Sequence, residues 1–291
     1  MSLIVITGLA AEARIATTDT AMIVGAGRTN RVAADLDAAI AGGAKRLLSF
    51  GVAGGLSPHL QPGDLVVAHG VRDGGRNLSC DPAWREGMSR RLQWSPWRPR
   101  HDRSTLQTDE RPPAAVFRFF GGGGWRPLLD VTHRAPLADI AAAEAPVADI
   151  AKKAALFEDS GAIAVDMESA IVARAARRHN LPFAILRVIA DPAGRSLPNA
   201  ALSAMRADGE VNIGAVLGGL LRNPRELSSL ARLAVDARKA FAALARARAA
   251  LGPDFASLEV EDLRPRRRPA PNADFLPALD EMEGCEASLY A

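Results

Sequence analysis

The chain has 291 residues, 48% of them hydrophobic and 24% charged, which suits one large α/β domain or two small ones. A formal net charge of +3 is too small to argue for nucleic acid as a partner. Cys80 and Cys285 are too few and too far apart for a disulfide framework or a metal cluster, and they fit a reducing, cytoplasmic setting.

The N-terminus, MSLIVITGLA, is apolar but short and has no basic flank, so Leu3–Thr7 reads as a buried strand rather than a signal peptide. No run of 18 or more apolar residues marks a membrane span. A second strand, Ala21–Val24, ends in Gly25-Ala26-Gly27. Val32, Leu36 and Ile40 then share one face of a helix over Thr29–Ala41, which Gly42-Gly43 stops. Leu47–Phe50 is the next strand, with Gly51-Val52-Ala53-Gly54-Gly55 read as the loop that closes it. Pro62-Gly63-Asp64 turns the chain into the strand Leu65–Ala68. In the second half, helices are predicted over Ala148–Phe157 and Met167–His179, and strands over Ala162–Val165 and Pro182–Ala190. The last strand, PFAILRVIA, reads as apolar on both faces, like a central parallel strand. Helices near Val211–Leu221 and over Arg225–Leu251 follow. Strand–helix–strand succession predicts parallel α/β winding.

Two segments stand outside this pattern. Residues 94–134 hold three of the four tryptophans, a Gly121–Gly124 run and seven arginines against four acids, with neither period 2 nor period 3.6. They read as an irregular insertion, a lid, a divergent segment or a sequence error. Residues 253–291, with the run RPRRRP and then an acidic stretch, read as a disordered tail.

Three acids stand at strand ends. Asp166 closes one strand and is placed to cap the following helix. Glu168 lies in that helix's first turn, where a carboxylate is also favoured by the dipole and is able to hold vicinal ribose hydroxyls. Asp191 ends the long apolar strand and precedes Pro192, which discourages helical geometry there. It reads as a desolvated proton donor or as a turn-forming Asp-Pro. Glu12, after the first strand, is a fourth acid near the same edge, or an ordinary first-turn charge. Gly25-Ala26-Gly27 fits a phosphate-binding turn or a plain tight turn. A nicotinamide site is disfavoured by Asn30 at the third glycine position and by the absence of an acid from Gly42 to Gly55. The five histidines show no metal spacing, so no metal is expected.

Five stretches occur in the order of a known superfamily: Gly8–Glu12, GAGRTNRVAADL (25–36), FGVAGGLSPHLQPGDLVVA (50–68), AVDMESAIVARAA (164–176) and LPFAILRVIADPA (181–193). They resemble the nucleoside phosphorylase/nucleosidase superfamily, which includes methylthioadenosine/S-adenosylhomocysteine nucleosidase. GLAAEARIA, VDMES, IADPAGRSLPNAAL and MRADGEVN resemble most the hopanoid-associated phosphorylases, which remove adenine from adenosylhopane in hopanoid biosynthesis. The resemblance implies one nucleoside-phosphorylase-like α/β domain over residues 1–252, with a central, mostly parallel mixed sheet flanked by helices. It implies that Asp191 protonates the purine and Glu12 orients a water nucleophile. Glu168 and Met167 would hold the sugar, Val147 would line the base pocket, and Ala53 and Gly54 would border the ligand. Val52 stands where many relatives carry Ser or Thr, and an apolar side chain cannot donate to phosphate. Arg28 and Arg195 are the candidate phosphate partners, so phosphorolysis and hydrolysis both remain open.

The resemblance implies no cofactor beyond phosphate as a candidate co-substrate, and a homo-oligomer. An adenosylhomocysteine-type nucleosidase, a nicotinamide-dependent oxidoreductase and a non-catalytic nucleoside-binding protein are the alternatives. The 225–251 helix puts Leu227, Leu230, Ala234, Ala237, Phe241 and Leu244 on one stripe among basic residues. That stripe fits core packing, or peripheral contact with the inner membrane when the substrate is lipid-linked.

Overall fold

The computed structural model describes residues 2–25, 32–93, 116–120, 124–128, 138–199, 201 and 226–257. The element order is β1 (Leu3–Ile6), α1 (Ala10–Ala16), β2 (Ala21–Val24), α2 (Val32–Ala41), β3 (Arg46–Gly55), β4 (Leu65–Val67), β5 (Gly70–Asp73), β6 (Arg76–Ser79) and α3 (Pro82–Gln93). β7 (Val116–Phe120), β8 (Gly124–Pro127), β9 (Ile140–Ala142), α4 (Ile150–Ser160), β10 (Ala164–Asp166), α5 (Ser169–Arg178), β11 (Phe183–Asp191) and α6 (Leu227–Leu251) complete it.

All eleven strands form one mixed sheet, ordered β6-β5-β9-β10-β3-β11-β4-β7-β8, with β1 joining β3 and β2 joining β1. Parallel and antiparallel strand pairs are equally frequent among the described strands, and the longest register, β3 with β11, is parallel, so the sheet is mixed. β1 shows why both faces are apolar. Ile4 and Ile6 enter one core layer with Val32 and Leu36 of α2 and with Val172 and Ala176 of α5. Leu3 and Val5 enter the opposite layer with Trp84 and Met88 of α3 and Leu244 of α6. Alternation along a strand divides its side chains between the faces, and helices cover both.

β3 organises the site. Its first half pairs with β1 (Leu3↔Arg46 to Ile6↔Ser49) and its last residues pair with β10 (Ala164↔Gly55, Val165↔Gly54). Between these two partners, residues 50–53 have β11 on one side and a gap on the other. A ligand site forms where neighbouring strands diverge in this way. The stretch Gly51–Gly55, expected to be a loop, is therefore strand, because β10 and β11 supply its ladder partners.

Three other expectations are corrected. Part of 94–134 is regular: β7 and β8 form an antiparallel hairpin on β4, with Phe117 and Trp125 buried. The start of the expected tail is packed. Phe255 and Ala256 are fully buried, the Trp84 indole N–H donates to Phe255 O at 2.8 Å, and Phe255 meets Phe50 edge-on at 5.3 Å. On α6 the buried face is Asp236, Ala240, Ala243, Leu244, Ala247 and Leu251, which shares only Leu244 with the predicted stripe; Phe241 is partly buried against it and Leu227 is 62% exposed. Small alanines let α6 approach the sheet, which a pattern of larger apolar residues does not reveal. The predicted helix at Val211–Leu221, residues 205–212 (MRADGEVN) and residues 258–291 lie outside the described residues. Among the described residues, no helix is long and apolar enough to cross a membrane and no group of three or more His, Cys, Asp or Glu is placed to hold a metal ion.

Candidate active site

The gap beside β3 is filled from three directions. From α1, Glu12 turns back across its own N-terminus. Oε2 accepts from the Gly8 and Leu9 N–H groups at 2.8 and 2.9 Å. Oε1 accepts the Val52 N–H at 2.7 Å, a donor that β3 has no strand to receive. The side chain thus stabilises the helix start and fastens α1 to the sheet. Glu12 is 2% exposed, and burial raises its carboxyl pKa against the lowering pull of Arg187.

From β11 comes Arg187, fully buried. Its Nε lies 2.5 Å from Asp166 Oδ2, and its Nη2 donates to Ser49 Oγ at 2.7 Å and reaches Glu168 Oε2 and Ser169 Oγ at 3.4 Å. Nη1 has no hydrogen-bond partner among the described residues. A Cβ on Gly51 would fall 2.6 Å from that Nη1 and 2.5 Å from Glu12 Oε1, and one on Gly8 would fall 2.8 Å from Glu168 Cδ. Both glycines are small because the site's charged groups occupy the space a side chain would need.

From the β10–α5 junction come Asp166 and Glu168. α5 starts two residues later than expected, with Glu168 rather than Asp166 in the N-cap position, but Asp166 still reaches its first turn, accepting from Ser169 N at 3.2 Å and from the Ser169 hydroxyl. It also neutralises Arg187. One guanidinium therefore faces three carboxylates, and three buried negative charges cannot all persist around one cation. Both glutamates give way: burial raises Glu12, and it pushes Glu168 from 4.5 to about 7, with Arg187 opposing that rise and Asp166 and Glu12 adding to it. A carboxyl whose pKa is higher folded than unfolded stabilises the fold below its unfolded value and loses that contribution as pH climbs through the folded one. Ionising Glu168 thus costs stability from about pH 4.5 to about pH 7. Glu168→Gln is expected to melt higher than the parent at pH 8 and alike at pH 4, each kcal/mol appearing as about 2–4 °C in Tm. Equal melting differences at both pH values would contradict this assignment.

Asp191 lies at the far end of β11, opposite Gly54. Its Oδ2 accepts from Lys153 Nζ at 2.6 Å and would sit 4.0 Å from a Cβ on Gly54. Burial raises its pKa, while Lys153 and then Arg195 lower it and Asp236 adds to the rise. A cavity of about 460 Å³ opens beside it, bounded by Pro192, Arg195 and α6. A larger cavity of about 570 Å³, between β7 and α6, contains none of the predicted site residues.

The remaining predicted residues divide. Met167 is half-buried between Asp166 and Glu168, and Val52 and Ala53 lie in the β3 segment beside the gap. Val147 packs against the small cluster of Leu56, Ala141, Ala162 and Val165. Arg195 ion-pairs with Asp236 of α6 on the Asp191 side, away from Glu12. Arg28 lies outside the described residues. Arg187, Ser49, Ser169 and Lys153 were missed by reading the sequence. A lone arginine within a nine-residue apolar strand was the available signal, since a buried charge demands partners. Lys153 gave none, because it stands beside an equally plausible surface lysine, Lys152.

An eleven-stranded mixed sheet covered by helices on both faces, switching partners at β3, is the fold of a glycosyl-bond-cleaving nucleoside phosphorylase/nucleosidase. The chain belongs to the Phosphorylase superfamily, whose family model matches residues 3–222. Among solved structures it is similar to a 5'-methylthioadenosine/S-adenosylhomocysteine nucleosidase from Neisseria meningitidis in complex with methylthio-immucillin-A, at 14% identity and a TM-score of 0.51, covering 86% of this chain and 97% of that one. It is also similar to a nucleosidase of the same description from Campylobacter jejuni, at 18% identity and a TM-score of 0.46, covering 78% and 100%. No curated protein matches the sequence.

Proposed function

We propose that this protein hydrolyses the N-glycosidic bond of a purine nucleoside, with adenosylhopane the first substrate to test. The observation that carries the hydrolytic reading is Nη1 of Arg187, without a hydrogen-bond partner among the described residues, beside Glu12 Oε1 and Gly51. A buried donor next to a carboxylate acceptor suits a water molecule, which both donates and accepts. A phosphate dianion would need net positive charge, whereas here one cation faces three acids among the described residues. Asp191, at the other end of β11, gives its proton to the departing base. Arg187 and Asp191 are four residues apart, roughly 13 Å of strand, which is room for a sugar and a base between nucleophile and acid. Glu168 holds the ribose hydroxyls and, once ionised, offsets the positive charge that builds on the sugar. No cofactor enters this scheme.

The adenosylhopane reading rests on GLAAEARIA, VDMES and IADPAGRSLPNAAL in the sequence. An adenosylhomocysteine-type nucleosidase uses the same residues, so the substrate alone separates the two. The purified protein is expected to release adenine from adenosylhopane faster than from methylthioadenosine, adenosylhomocysteine or inosine, and at a rate that added phosphate does not change. Adenine release that requires phosphate would overturn the hydrolytic assignment.

A further inference from the structure

Lys153 is drawn inside the protein from an otherwise exposed stretch of α4. Its side chain is 1% exposed, while Lys152 next to it is exposed. An ammonium has three donors. Lys153 Nζ directs them to Asp191 Oδ2 at 2.6 Å, Arg195 O at 2.8 Å and Pro192 O at 3.1 Å. Burying an ammonium is expensive unless every proton finds an acceptor, and here one carboxylate and two carbonyls of the segment that follows it supply them. The cation therefore joins three points of the Asp191–Arg195 turn to α4.

We propose that Lys153 is the positioning residue for the proton donor: it fixes Asp191 Oδ2 and the turn that carries it, leaving Oδ1 as the oxygen that passes the proton to the leaving base. This inference rests on Asp191 being that donor. Among the described residues the charged groups around Asp191 are Lys153 from α4, Arg195 from its own turn and Asp236 from α6, and the last two are engaged with each other. Lys153 is the only one of the three bonded to the carboxylate. It lowers the Asp191 pKa against the rise that burial causes. Removing the cation thus moves the pKa up, and the fall in kcat that follows loss of the donor's proton moves to higher pH.

The test compares kcat–pH profiles of the parent with Lys153→Met, Lys153→Arg, Lys152→Met and Asp191→Asn, each verified as folded by thermal melts. Lys153→Met is expected to lower the plateau kcat by about 10- to 100-fold, the scale of a misplacement near an ångström, with KM little changed. Its alkaline limb is expected to move to higher pH. Lys153→Arg keeps the charge but not the three-point geometry, so kcat falls while the limb stays in place. Lys152→Met behaves as the parent. A parental kcat in either Lys153 variant overturns the proposal, and so does a kcat loss in Lys153→Met with an unmoved limb. If Lys153→Met does not fold, Lys153→Arg decides through its kcat. Near-normal activity of Asp191→Asn would instead sink the proton-donor reading itself, a result distinct from any of these.

Discussion

Asp191→Asn is expected to lose about 10²–10⁴-fold in turnover, the usual contribution of a general acid, while keeping its fold. The fold survives because an asparagine carbonyl accepts from Lys153 Nζ as the carboxylate does. The chemistry fails because an amide has no proton of suitable acidity to give. Burial favours the protonated carboxyl at Asp191, and Lys153 restrains that rise. Single-turnover release of adenine, measured with unfolding curves of the same preparation, reads both halves. Turnover near that of the parent would remove Asp191 from the mechanism.

Arg187→Met is expected to be damaging in a different way. The guanidinium is the only positive group beside Asp166, Glu168 and Glu12 among the described residues, and it is fully buried. Removing one side of a buried charge network costs roughly 3–5 kcal/mol, because the remaining charges keep their desolvation penalty. Here Asp166, Glu168 and the Ser49 hydroxyl lose their donor, and Glu12 loses a nearby positive charge. The damage depends on pH with a definite sign. Without the cation the folded-state carboxyl pKa values rise, so the variant is nearest to the parent in acid and falls behind as pH increases. Denaturant unfolding at pH 5 and pH 8 shows this as a widening gap in midpoint. A variant as stable as the parent at pH 8 would mean that Arg187 does not hold the acids together.

The same residue shows where sequence reading succeeds and where it stops. β11 was placed almost to the residue, since an apolar run between Pro182 and Pro192 is bounded by chain breakers. Reading it as apolar on both faces passed over Arg187, because periodicity weighs nine residues together and cannot mark one that departs from them. The Gly51–Gly55 stretch reads locally as a loop, yet it is strand. Whether such a segment is strand depends on partners 100 and more residues away in β10 and β11. β7 and β8 were hidden for a related reason: the hairpin gains its order on the edge of β4, not from a strong local pattern.

Glu12 is a candidate acid by its place after the first strand and by the resemblance to a family, and its geometry gives it a structural task, fastening Gly8, Leu9 and Val52. Arg195 was legible as a nearby cation, but its partner, Asp236, lies in a helix 41 positions later in the chain. Charge type is a local property, whereas charge pairing is a property of the fold.

The sequence by itself determined the α/β class, most strand positions, the superfamily, and the acids at strand ends, because hydrophobic period, chain breakers and motif order are all written locally. The tertiary structure decided which of those acids share a cation, which glycines are held small by charged groups, and which lysine is turned inward to meet Asp191. These depend on β3 exchanging β1 for β10 along its length, which leaves a gap in the sheet that distant segments fill with their side chains. Long-range pairing of that kind is fixed by burial and hydrogen-bond satisfaction across the whole fold, and no window of neighbouring residues contains it.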